Sequence, residues 1–408
     1  MFEAGVAHFE ATGDRGLLDV CRRSADLVCK TFGLNGIALP PGHEEIEIGL
    51  VKLYRVTGEQ RYLDQAKFFI EQRGRTSRSR DKVWGPYSQD HLPLVEQDKA
   101  VGHAVRAGYF YAAATDLAAI EGNTEYTAAL DRLWRNVVET QMYITGGVGG
   151  TAEGEAFGAE YQLPNETAYC ETCAQIAQCL WNHRLFLLHG DGKYLDVLER
   201  ILYNGMLSGV SLDGKKFFYP NPLSSSGQHE RSPWFGCSCC PSNLCRFIPS
   251  VPGFFYAVKD DNVYVNLYAA GTAQVEVQDS AVKIEQQTTY PRSGEVKLIV
   301  TPLQDGAKFA LKLRIPGWAR NEALPGGLYT FVEADHSPIS LTVNSEAQSV
   351  EVDHGFTTIN RVWNAGDEVA LTLPMPVRRV LCSDKVAANR GRVALQRGPL
   401  VYCVEVWC

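Results

Sequence analysis

Three thiols fall within four consecutive positions at Cys237-Ser238-Cys239-Cys240, and Glu171-Thr172-Cys173 sets a carboxylate two residues from another thiol. Adjacent cysteines such as Cys239 and Cys240 rarely bridge each other, because the ring is small and disulfide geometry is narrow. Thiolates gathered by folding suit a soft or borderline metal, and zinc is the usual occupant of a tetrahedral site mixing sulfur with carboxylate. The competing reading makes these cysteines small buried hydrophobes; the metal reading accounts better for their grouping. Residues two apart point to nearly opposite sides of a helix. Glu171 and Cys173 can therefore share an ion only near a helix start, and Asn165 and Thr167 offer capping chemistry just upstream. With Cys239 and Cys240 they make four ligands, which normally close a structural site. The alternative is that one thiolate reacts, held deprotonated by the metal at neutral pH.

Other residues could join such chemistry. Thr145-Gly146-Gly147-Val148-Gly149-Gly150 precedes Gly154-Glu155-Ala156-Phe157. No Gly-Lys-Ser/Thr follows the glycines and no Rossmann-like strand precedes them, so they read as a sharply bending backbone rather than a phosphate cradle. Glu155 is then a solvated surface acid or a mobile acid/base, and residue type alone favours the surface. His43 and His103 each follow glycine at a helix entrance, where a histidine more often caps or packs than ligates. Tyr219, in Phe217-Phe218-Tyr219-Pro220, could wall a sugar site or simply pack.

The chain that must position them has 408 residues, 45% of them hydrophobic, enough for a large core and two or three domains. A net charge of −8 without a Lys/Arg run argues against a nucleic-acid partner. No apolar stretch reaches membrane-spanning length. Met1-Phe2-Glu3-Ala4 is acidic and helix-like rather than signal-like. The cysteines are accordingly expected to be reduced thiols of a cytoplasmic protein.

A glycine turn recurs at Gly13, Gly58, Gly122 and Gly190, each between two stretches of helical periodicity. Glycine ends one helix in a left-handed conformation and a polar residue starts the next. The turns predict helical hairpins over roughly 1–30, 43–73, 98–140 and 169–210. Their uneven spacing favours a closed helical toroid over a tidy solenoid. The extra length falls in loops such as 76–94 and 145–164, where chemistry usually resides. From about Val263 the period switches to two, as in Phe309-Ala310-Leu311-Lys312-Leu313, a β-sandwich pattern. The expected division is a helical catalytic domain over 1–254 and β-sandwich over 255–408. The chain opens inside a helix and stops in an apolar strand at Val406-Trp407-Cys408, so truncation at both ends is expected.

Together these segments resemble glycoside hydrolase family 127, the β-L-arabinofuranosidase family. The likeness rests on Gly102-His103-Ala104-Val105-Arg106, Gly154-Glu155-Ala156-Phe157, Glu171-Thr172-Cys173, Tyr203-Asn204-Gly205, Phe217-Phe218-Tyr219 and Cys237-Ser238-Cys239-Cys240-Pro241. Leu313-Arg314-Ile315-Pro316-Gly317-Trp318-Ala319 and Leu395-Gln396-Arg397-Gly398-Pro399-Leu400 extend it. The resemblance implies a mixed α and β fold, an (α/α)6-type barrel lacking its N-terminal hairpins and followed by β-sandwich. It implies Zn²⁺ on Glu171, Cys173, Cys239 and Cys240, with Cys239 also the nucleophile and Glu155 the general acid/base. His43, His103, Glu199 and Tyr219 would contact the sugar. The implied activity is retaining exo-hydrolysis of β-L-arabinofuranosides through a thioglycosyl intermediate. The partner would be an L-arabinofuranosyl oligosaccharide or glycoconjugate, with a homodimer left open. The alternatives are a non-catalytic carbohydrate-binding toroid with a structural zinc, an inactive fragment, or a toroid epimerase or lyase that needs no thiols.

Overall fold

In a computed structural model the chain is described over residues 1–278, 280–304 and 306–404. The apolar segment expected at 406–408 lies outside them. A helical N-terminal region is followed by β-sheets, as the change of period requires. The chain groups into two compact units that interleave in sequence. One comprises 1–143, 147–188 and 218–232; the other comprises 144–146, 189–217 and 233–408.

The first unit is helical. Helices α1 (Phe2–Thr12), α2 (Gly16–Thr31), α3 (Ile46–Thr57), α4 (Gln60–Gln72), α5 (Ala104–Glu121), α6 (Thr124–Thr140) and α7 (Thr172–His189) follow in order. The expected turn glycines are all left-handed, with φ 73° at Gly13, 73° at Gly58, 64° at Gly122 and 69° at Gly190. Gly13, Gly58 and Gly122 each donate a backbone N–H back into the helix they terminate. Helix α4 buries one stripe, Tyr62, Leu63, Ala66, Phe69 and Ile70, whereas α5 and α7 are buried on nearly every side. A helix without a polar face must be wrapped by others. Packing between those two helices is tight, since a Cβ on Gly108 would stand 2.6 Å from the Ala177 methyl carbon.

The second unit contains α8 (Gly192–Arg200), α9 (Cys239–Phe247) and the sheets. A four-stranded sheet runs β1 (Tyr256–Lys259), β2 (Asn262–Val265), β6 (Ala307–Arg314), β10 (Phe356–Trp363), with β2 and β6 parallel. An antiparallel six-stranded sheet runs β3 (Gly271–Val277), β4 (Ser280–Thr288), β5 (Glu295–Pro302), β11 (Asp367–Thr372), β8 (Ser340–Val343), β9 (Glu346–Ala347). Their inward residues form one core, including Val263, Val265, Ile284, Leu298, Leu311 and Trp363. Alternation along β11, where Asp367, Val369 and Leu371 are buried and their neighbours exposed, is the period of two seen in the sequence. A smaller sheet runs β14 (Leu400–Tyr402), β13 (Ala394–Arg397), β12 (Val377–Cys382), β7 (Tyr329–Phe331). Among the described residues, no helix is long and apolar enough to cross a membrane.

A buried charge network ties α8 to this β-structure. Arg314, wholly buried on β6, bonds Asp196 Oδ1 at 2.7 Å, the Asn266 carbonyl at 2.5 Å and Glu199 Oε1. The Tyr290 hydroxyl donates to Glu199 Oε1 at 2.5 Å, and Trp318 Nε1 lies 3.4 Å from Oε2.

Candidate active site

His103 sits at the start of α5, and its Nδ1 accepts the backbone N–H groups of Val105 at 3.2 Å and Arg106 at 3.4 Å. With Nδ1 an acceptor, the ring proton is on Nε2. Burial, the largest influence, holds this histidine below its ordinary pKa, against the opposite pull of Glu155. A neutral imidazole therefore presents an N–H outward. Gly102 makes the approach possible. Its φ is 74°, and a Cβ there would stand 1.9 Å from the Pro86 carbonyl oxygen.

Opposite lies the glycine-rich loop. Thr151 and Ala156 exchange backbone hydrogen bonds, and the Phe157 N–H donates to the Gly102 carbonyl at 2.9 Å. Between them Gly154 and Glu155 are both left-handed, with φ 66° and 51°. That turn delivers Glu155 Oε2 to within 2.7 Å of His103 Nε2, while Oε1 accepts the Tyr169 hydroxyl at 2.6 Å. The Glu155 side chain is 31% exposed. It is thus not the solvated surface acid that residue type favoured, because two donors from other segments, His103 and Tyr169, hold it. His103 caps a helix with one nitrogen, as its residue type and place suggested, and meets Glu155 with the other.

Two short segments clip together beside this pair. Asn221 N–H donates to the Tyr169 carbonyl at 2.8 Å and Thr172 N–H to the Tyr219 carbonyl at 3.0 Å. The Tyr169 and Tyr219 rings consequently lie 6.1 Å apart. The same ladder places Glu171 at the entrance of α7, where its carbonyl accepts from Ala174 and Gln175 at 3.0 and 3.2 Å. Glu171 and Cys173 therefore do meet at a helix start. Asn165 and Thr167 do not form the cap expected of them: the helix begins five to seven residues later, and the Asn165 carbonyl instead accepts from Leu223 and Ser224.

Cys239 and Cys240 open α9, with Pro241 tolerated in the first turn because its missing N–H would have no partner there. A helix N-terminus favours negative charge and hence thiolate. Their sulfurs are 3.9 Å apart. Tetrahedral zinc with Zn–S bonds of about 2.3 Å would separate two sulfurs by about 3.8 Å. One ligand atom from each of Glu171, Cys173, Cys239 and Cys240 falls within 4.8 Å of the others, and so do atoms of His103, Glu155 and Glu171. Glu171 belongs to both groups. The residues form a cluster able to bind a metal, and three sulfurs with one carboxylate oxygen fit zinc by number and softness.

The remaining expected residues are placed as follows. His43 lies with its ring 6.4 Å from that of His103 and 6.3 Å from Tyr109. Its pKa is lowered, first by desolvation and then by the Arg106 guanidinium. Tyr219 stands beside Tyr169. Glu199 departs from expectation. It is 1% exposed, and both carboxylate oxygens are engaged by Arg314, Tyr290 and Trp318. A sugar could reach it only by displacing those donors, so the structure gives it the part of a core anion instead of a sugar contact. Sequence reasoning missed Tyr169, which carries no local signal. It also missed Tyr87, whose ring meets His103 edge-on at 5.5 Å.

Family models match along the chain: the GH127 β-L-arabinofuranosidase catalytic domain over residues 1–253, the GH127 middle domain over 262–375, and the family's C-terminal domain over 377–407. The chain belongs to glycoside hydrolase family 127. A GH127 β-arabinofuranosidase of known structure is 52% identical with a TM-score of 0.93, covering 98% of this chain and 62% of that one. A GH127 β-L-arabinofuranosidase from Geobacillus stearothermophilus T6 is 43% identical with a TM-score of 0.89, covering 98% and 65%. The non-reducing end β-L-arabinofuranosidase of Bifidobacterium longum subsp. longum is 35% identical over 99% of this chain. The GH127 chain described here spans 63% of that relative's length. The clustered residues fall in the catalytic-domain match, whereas Arg314, which holds Glu199, falls in the middle-domain match.

Proposed function

We propose that this chain carries the active site of a retaining exo-glycosidase acting on β-L-arabinofuranosides. The observation that carries the reading is the sharing of Glu171 between a three-cysteine group and a His103–Glu155 pair. A metal-ligand set and an acid/base candidate thereby meet at one carboxylate. The similar proteins whose names specify β-L-arabinofuranosidase support the sugar.

Glu171, Cys173, Cys239 and Cys240 would hold zinc. When bound, zinc keeps the sulfurs ionised at neutral pH and fixes their direction. Cys239 Sγ attacks the anomeric carbon while protonated Glu155 gives its proton to the departing glycosidic oxygen. The products of that step are a thioglycosyl bond, a free alcohol and a Glu155 carboxylate. That carboxylate then takes a proton from water, whose oxygen displaces sulfur and restores the thiolate, with net retention. The neutral His103, the Tyr219 phenol and the His43 ring would orient sugar hydroxyls. The hydrogen bond between His103 and Glu155 would hold the carboxylate toward the sugar.

The test is hydrolysis of an aryl β-L-arabinofuranoside by the zinc-loaded chain, with the anomeric outcome followed by NMR. Activity that a chelator abolishes and that Cys239→Ser and Glu155→Gln lose supports the reading. Full activity in Cys239→Ser would remove the nucleophile role and favour a structural zinc.

A further inference from the structure

We infer that Tyr169 is a positioning residue for the Glu155 carboxyl group, holding Oε1 while the opposite oxygen meets His103. The inference rests on the acid/base reading of Glu155. Three observations carry it. First, Glu155 projects from a tight turn whose backbone sets where the side chain starts but not where its carboxyl ends. A non-glycine residue with φ 51° follows left-handed Gly154, itself preceded by the bend at Gly149, where φ is 99°. Backbone bonds between Thr151 and Ala156 fix the turn but not the side-chain torsions of Glu155, so the carboxyl must be fixed by what it touches.

Second, the two groups that touch it are themselves built in. His103 is locked by the helix N–H groups on its Nδ1. Tyr169 is locked by its neighbours: its carbonyl accepts from Asn221, and the next residue, Cys170, donates its N–H to Gly149 at 2.9 Å and gives its carbonyl to the Asn221 side chain at 2.9 Å. The same Asn221 amide reaches Thr172 Oγ1 at 3.0 Å. The Tyr169 hydroxyl is therefore a fixed donor at 2.6 Å aimed at the carboxyl of a side chain that projects from the glycine turn.

Third, the arrangement leaves the acid able to work. A carboxylate oxygen has two lone pairs. One bond from Tyr169 and one from His103 leave a site on each oxygen for the transferable proton. Tyr169 keeps its own proton throughout; the proton that moves is that of Glu155, passed to the leaving oxygen and recovered from water. Misplacement of an acid by an ångström costs rate even when substrate binding is intact.

The test compares Tyr169→Phe with the parent, both zinc-loaded and full chain, by crystallography and by kinetics on two β-L-arabinofuranosides. One carries a dinitrophenyl leaving group, which departs without a proton; the other carries an alkyl group, which cannot. The expected result is a Glu155 carboxyl displaced from its parental position. With it comes a roughly 10- to 100-fold fall in kcat/KM for the alkyl glycoside, against less than about 3-fold for the dinitrophenyl glycoside. A Glu155 carboxyl that stays in place, or equal losses on the two substrates, overturns the role. If the parent releases neither leaving group, the arabinofuranosidase reading fails by itself. The crystallographic comparison then still decides whether Tyr169 positions Glu155.

Discussion

Replacing Glu199 by Gln should weaken the fold, and any loss of activity should follow from that. The carboxylate is 1% exposed and takes the Arg314 guanidinium and the Tyr290 hydroxyl on Oε1, with Trp318 Nε1 beyond Oε2. Glutamine keeps one acceptor oxygen but turns an NH₂ toward groups that are all donors, and it removes the charge opposite a wholly buried arginine. Breaking one side of a buried ion pair costs about 3–5 kcal/mol. Asp196 remains 2.7 Å from Arg314, so the low end, about 3 kcal/mol, is expected. For a unit of roughly two hundred residues that is a fall in Tm of about 6–12 °C. Thermal unfolding followed by circular dichroism would read it, with urea titration as a second measure of the same loss. An Arg314→Met change in the same background should cost less than it does alone, because the residual mismatch is shared. A Glu199→Gln protein with Tm within about 2 °C of the parent and a raised KM would refute the reasoning. It would show that Glu199 reaches the sugar despite its burial.

Cobalt added to the metal-free chain should give intense thiolate-to-metal charge-transfer absorption, weakened in Cys173→Ser or Cys240→Ser and nearly unaltered in Cys237→Ser, whose thiol is exposed and outside the ligand group. His103 should titrate below the ordinary histidine range because burial disfavours its cation. Its imidazole thus stays neutral as pH falls through about 6.5, and ring-nitrogen NMR should show the proton on Nε2 at neutral pH. Gly102→Ala should cost about 2 kcal/mol or more and detach the Glu155 turn, since the methyl would stand 1.9 Å from a carbonyl oxygen at a φ of 74°. Chemical denaturation and the loss of the His103 tautomer signal would check it.

The helical hairpins were legible because their signal is local. Left-handed glycine at a helix end depends on a few neighbouring residues, and Gly13, Gly58 and Gly122 end their helices as expected. The start of α7 was legible for a stereochemical reason, since Glu171 and Cys173 converge only where regular helix begins. Its cap was misread, because Asn165 and Thr167 cap well in isolation and nothing local says that residues 218–224 claim that segment instead. Glu155 looked like a surface acid because its partners stand on other segments, Tyr169 beyond the turn and His103 at the start of α5. Glu199 looked like a sugar contact through family likeness, while the guanidinium that engages it arrives on β6, more than a hundred residues later.

By itself, then, the sequence determined the thiols and carboxylate suited to zinc, the glycine turns that pair the helices and the switch to a period of two. Each of these is a property of residue type or of short spacing. Only the tertiary structure decided which charges meet. Hydrogen bonds act over about 3 Å, and no spacing along the chain predicts that Tyr169 and His103 would close on opposite oxygens of Glu155. Nor does spacing predict that Arg314 would bury Glu199 in the core, because a charge enters a core only where folding brings its partner with it.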